Sequence, residues 1–160
     1  MIDRVTEGIG RVVAWLTLVM GLVTCAVVVL RYGFDIGAIA LQESVIYLHA
    51  TAFMLGIAYT LKLDEHVRVD VLYSRLNARQ KAWVDLCGHL FFLLPAALTL
   101  GLYSLPYVAA SWRIQEGSSE VGGIPAVYLL KTLIPVMTLL LLLQGLAEIA
   151  RAVRHLRQEP

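Results

Sequence analysis

The chain has 160 residues, 59% of them hydrophobic and only 16% charged. A water-soluble domain of this size is nearer half apolar and a quarter charged, so these values read as a small membrane protein. One folded unit, residues 1–160, fills the length, and the net charge of +1 gives no sign of a nucleic-acid partner.

The first apolar stretch runs from Val12 to Leu30 without a charge and is fenced by Arg11 and Arg31. Its 19 residues match the roughly 20 that a helix needs to cross about 30 Å of hydrocarbon. It exceeds a signal-peptide core and ends in Val29-Leu30-Arg31-Tyr32, without a small-x-small cleavage pattern, so it is read as an uncleaved first span. The segment Gly33 to Gln42 follows, with Ile36, Ile39 and Leu41 spaced as for a short helix along the outer interface.

The second span is expected over 44–61, between Glu43 and Lys62. After it, Asp64 to Val71 alternates polar and apolar residues in a strand period. With no partner strand in the chain, this reads as an interfacial segment. Asn77 is placed to cap a helix leading into the third span, 86–108, where Pro95 and Pro106 are candidate kink sites. The loop Gln115 to Gly123 is polar and glycine-rich, so it is expected to be mobile or ordered by a partner. Pro125 suits the first turn of the fourth span, 126–147. Each span must be helical, because hydrocarbon cannot satisfy an open backbone.

Four spans put both termini on one side. That side holds ten of the 13 basic residues; Arg31, Arg113 and Lys131 are the other three. Positive charge is retained in the cytoplasm, which predicts cytoplasmic termini and an inner-membrane, multi-pass protein. The fold class is therefore an all-α membrane protein of four transmembrane helices with short interfacial segments.

No catalytic, cofactor-binding or metal-ligating constellation is expected. Cys25 and Cys87 lie in different spans with no Cys-x-x-Cys spacing and read as packing residues. His49 and His89 raise a small membrane cytochrome, or a membrane anchor subunit, as the alternative. His49 falls about 9 Å below the outer edge and His89 about 6 Å above the inner one, so about 15 Å of depth separates them. One iron cannot join them. A free-standing exporter is the other alternative, but it needs an ionisable group at mid-depth, and none of the spans has one; Lys131 lies near the outer end and is expected to snorkel. Ala52 with Gly56, and Ala97 with Gly101, have helix-contact spacing, for use within the chain or against another subunit. Arg31 and Glu43 bracket the first outer connection and are expected to pair there or to meet a partner. Arg151, Arg154 and Arg157 recur on one helical face and suit anionic headgroups.

Several of these residues together resemble a known pattern. Arg31-Tyr32-x-Phe34 closes the first span and Glu43 opens the second. Leu55-Gly56-x-Ala58-Tyr59 follows, then Asp64-Glu65-His66-Val67-Arg68-Val69-Asp70-Val71-Leu72, and Gly123-Ile124-Pro125 enters the last span. The chain resembles the small, DctQ-type membrane subunit of tripartite ATP-independent periplasmic (TRAP) transporters. It departs from the pattern at Leu41-Gln42-Glu43, where many relatives carry a Trp.

The resemblance implies a transport subunit without catalysis or cofactor. A periplasmic solute-binding protein captures an organic acid, and a large elevator-type membrane subunit carries it in symport with sodium. The small subunit scaffolds the large one and helps dock the binding protein. On this reading Gly56, His66, Val67, Arg68, Val69 and Asp70 are expected at the large-subunit interface. Arg31, Glu43, Arg113, Glu116 and Glu120 are expected on the binding-protein side.

Overall fold

A computed structural model describes residues 2–63 and 73–158. Its helices are α1 (Ile2–Gly33), α2 (Ile39–Lys62), α3 (Ala78–Gly88), α4 (Leu94–Arg113) and α5 (Val127–Gln158). A π-helical turn, His89–Leu93, joins α3 to α4, so that Ala78–Arg113 forms one long span. Among the described residues, four helices are long and apolar enough to cross a membrane. Each contains or overlaps one of the four apolar stretches.

The fifth helix is the hub. It packs on α2 along one side and on α4 along the other, with α1 outside α2. The described residues give α1 and α4 no packed interface. Ala97, Met137 and Leu141 form the small buried core, with Met54, Ile57, Leu61, Leu93 and Leu142 around them. Apolar side chains cover most of the remaining helix surface, as lipid or protein neighbours require.

Small residues set the helix spacing. A side chain on Gly10 would lie 2.6 Å from the Tyr59 ring, so its absence lets α1 approach α2. Gly56 faces Val13 of α1, where a Cβ would find room at an ordinary 3.4 Å, and a Cβ on Gly101 would lie 3.0 Å from Thr138 of α5. Both glycines thus pack inside this chain.

The local signals have physical readouts. Asn77 caps α3 with a reciprocal pair: its side chain accepts from the Gln80 amide at 2.8 Å, and Gln80 accepts from the Asn77 amide at 3.0 Å. Before Pro95 the helix widens, and the Leu94 amide reaches the His89 carbonyl five residues back. Proline supplies no N–H and crowds the carbonyl four residues earlier, at Phe91; the wider turn absorbs this.

The connection between α1 and α2 differs from expectation. No separate interfacial helix forms between α1 and α2. Residues 34–38 are non-helical, with the Ile36 amide closed back on the Leu30 carbonyl at 2.9 Å and Asp35 in the left-handed region at φ 56°. Ile39 and Leu41 belong to α2 itself. The alternating segment 64–71, and with it His66, Val67, Arg68, Val69 and Asp70, lies outside the described residues.

Candidate functional site

Two polar clusters lie at opposite ends of the bundle. At the end away from the termini, Glu43 in the second turn of α2 reaches across to the loop between α4 and α5. One carboxylate oxygen accepts a short hydrogen bond from the Ser118 hydroxyl. The other accepts from the Ile124 amide at 2.6 Å. The Ser118 amide donates to the Ile124 carbonyl, and the Gly123 amide to the Glu120 carbonyl. Gly123 fits where a Cβ would collide with Ser118 and come within 2.7 Å of Glu43. The loop is thus ordered by Glu43 of its own chain. Sequence showed a polar, glycine-rich run; it did not show that an acid 81 residues away holds it.

Beside this latch, Lys131 of α5 donates to Glu116 at 2.5 Å and lies 4.2 Å from the centre of the Tyr107 ring. Lys131 is therefore paired within the chain instead of snorkelling freely. Its ammonium holds the Glu116 carboxyl below the usual carboxylate range. Next to it, Trp112 donates to the Thr132 hydroxyl at 2.9 Å and meets the Tyr128 ring edge-on at 4.7 Å. Together these contacts fix the end of α4 to the start of α5.

The outer residues expected from sequence divide into two groups. Glu43 and Glu116 are engaged inside the chain. Arg31, Arg113 and Glu120 are exposed. Arg31 and Glu43 do not pair: Glu43 turns toward the far loop.

At the end that holds the termini, α1 and α2 meet α5 through charged and amide groups. Gln144 is fully buried. It accepts from the Thr6 hydroxyl at 3.0 Å and donates to Glu148 at 2.9 Å. Arg151 bridges Glu148 and Asp3, with both Asp3 oxygens at 3.2 Å. Lys62 donates to Glu7 at 2.5 Å and to the Asp3 carbonyl at 3.3 Å. This clasp sets the first turns of α1 against the last turns of α5, so both ends of the chain lie at one end of the bundle. A lone Gln within a leucine run gave no sequence signal for it.

Below the clasp, an open cleft of about 350 Å³ is lined by Lys62, Lys81, Asp85, Glu148, Arg151 and His155 among others. Its lining combines three basic side chains, Lys62, Lys81 and Arg151, with two acidic ones, Asp85 and Glu148. Among the described residues no group of His, Cys, Asp and Glu is arranged to hold a metal ion. The chain therefore offers two ordered polar ends joined by an apolar middle.

The chain matches the family model of tripartite ATP-independent periplasmic transporters, DctQ component, over residues 4–155. It belongs to the DctQ family. A search of curated proteins finds no match. As a DctQ component the chain is a small membrane subunit of a TRAP transporter, a transport component and not a member of an enzyme family. The family implies a complex with a large membrane subunit and a binding protein. The Glu43 latch and, apart from Asp3, the Thr6–Gln144–Arg151 clasp fall within the matched region.

Proposed function

We propose that this DctQ component is the fixed scaffold of a sodium-coupled TRAP transporter for an organic acid, with the termini in the cytoplasm of a bacterial cell. It holds the large elevator-type subunit in place and helps dock the periplasmic binding protein. The observation that carries this reading is the family match combined with the empty mid-depth. Residues 12–30, 44–61, 86–112 and 132–147 contain no Asp, Glu, Lys or Arg. A subunit without ionisable groups there has little with which to couple an ion to a cargo. The excess of basic residues at the end where the termini meet supports the orientation.

In this reading the ordered loop 115–126, with the exposed Arg31, Arg113 and Glu120, faces the binding protein, while Glu43 and Glu116 hold the loop in shape. The second helix, with Gly56, and the segment His66 to Asp70 serve the large-subunit side. Because Gly56 faces Val13 with room for a Cβ, it serves that side through the α1–α2 pair and not by a close approach of its own.

Proteoliposomes provide the test. Vesicles holding this chain with its large subunit should take up substrate only with binding protein outside and an inward sodium gradient. Reversing the charges of Arg31, Arg113 and Glu120 should slow uptake while the membrane complex still purifies intact. Uptake by this chain alone would overturn the scaffold role. Uptake that is indifferent to sodium would overturn the coupling.

A further inference from the structure

Two polar groups mark the hydrocarbon limits on the third span. Lys131 over the Tyr107 ring marks the outer one, and Asp85 the inner one. Asp85 and Tyr107 are 22 residues apart, about 33 Å of helix, close to the thickness of a bilayer core. Helix α3 therefore leaves the hydrocarbon near Asp85 and continues at headgroup level.

One face of this region is exposed throughout. Arg79, Trp83 and Cys87 follow one another at four-residue spacing, and Leu90 and Phe91 continue the stripe into the apolar layer. The opposite face, with Ala82 buried, packs on α5. Trp83 is 53% exposed and Phe91 65%. Along the axis the stripe reads as a cation, an amphipathic ring and then an apolar wall. Trp83 lies about 3 Å beyond the Asp85 level and Arg79 about 9 Å beyond it. Among the described residues, neither Arg79 nor the nearby exposed Arg75 has a carboxylate partner. Bulk lipid requires only apolar side chains; an unpaired arginine in register below an interfacial tryptophan adds charge complementarity to one lipid class.

We propose that this stripe binds an anionic phospholipid. Its phosphate lies on Arg79, its glycerol region along Trp83, and one acyl chain along Leu90 and Phe91. The occupant is lipid because the stripe changes character at the depth where a phospholipid does.

The test uses the full chain in phosphatidylcholine vesicles containing phosphatidylglycerol, with bromine on the acyl chains of one lipid or the other at equal content. The quenching lost on Trp83→Phe isolates the signal of Trp83 from those of Trp15 and Trp112. Brominated phosphatidylglycerol should quench Trp83 roughly fivefold more effectively per lipid than brominated phosphatidylcholine, the preference expected for one surface cation. Arg79→Gln should bring the two lipids to parity. Arg11→Gln, on the distant α1, should leave the preference intact. Parity in the unmodified chain, or loss of preference with Arg11→Gln as well, would overturn the site. Trp83 left unquenched by either lipid in the complex with the large subunit would show a protein covering the stripe, and would overturn it too.

Discussion

The Glu43 carboxylate, near the start of α2, accepts the Ile124 amide at 2.6 Å across 81 residues of chain. The same carboxylate accepts the Ser118 hydroxyl. Both partners are donors, so the position calls for a group that only accepts. In Glu43→Ala the loop 115–126 loses its anchor, and hydrogen exchange should speed up at the Ser118 and Ile124 amides while the middle of α2 stays protected. Glu43→Gln, which keeps one accepting oxygen, should fall between the two. Unchanged exchange in the alanine variant would show that the loop is held by other contacts.

Acid should loosen the neighbouring contact. The Lys131 ammonium lowers the Glu116 carboxyl from its ordinary value of 4.5. A depressed carboxyl contributes stability above its unfolded value and loses it as pH falls through the folded one. The difference in melting temperature between the native chain and Glu116→Gln should therefore be full at neutral pH. It should shrink as pH drops below about 4.5. A difference independent of pH would mean that Glu116 acts through its shape and not its charge.

Gly10 carries a packing prediction. Gly10→Ala drives a methyl group into the Tyr59 ring, and overpacking of this kind costs about 1–3 kcal/mol. Gly56→Ala meets Val13 at van der Waals distance and should be nearly neutral. Unfolding by SDS in mixed micelles would separate the two. Equal effects would contradict the difference in fit.

Gln144 is the buried centre of the clasp between α1 and α5. Gln144→Leu leaves the Thr6 hydroxyl with its own-helix acceptor, Ile2, and removes a donor from Glu148. The expected loss is about 0.6–2 kcal/mol, the usual range for interhelical hydrogen bonds in membranes. Crosslinking between cysteines introduced at Ile2 and Ala147, which line one groove, should report the separation of α1 from α5. Full stability together with native crosslinking would rule out the clasp as a link between the helices.

The four helices were legible in sequence because apolar length under a bilayer constraint leaves few alternatives. Asn77 was legible because a capping residue acts within one turn. Glu43 was visible as an acid at a span end, but its partners lie on another loop, and no local pattern encodes that pairing. Gln144 was hidden in a leucine run, and the π turn before Pro95 depends on how the backbone resolves the missing N–H. The expected helix in the first outer connection failed for a related reason. Its apolar spacing was real, but Ile39 and Leu41 were absorbed into α2, and the turn took the residues before them.

The clasp between α1 and α5 also constrains how the chain is assembled. Thr6 and its partner Gln144 are separated by 138 residues, which a ribosome adds in on the order of ten seconds at roughly 5–20 residues per second. During that interval α1 rests against α2, through Gly10 on Tyr59 and through Lys62 on Glu7 and Asp3. The first helical hairpin must therefore hold together in the membrane on its own, and the N-terminal turns gain Gln144 and Arg151 only when the last helix arrives.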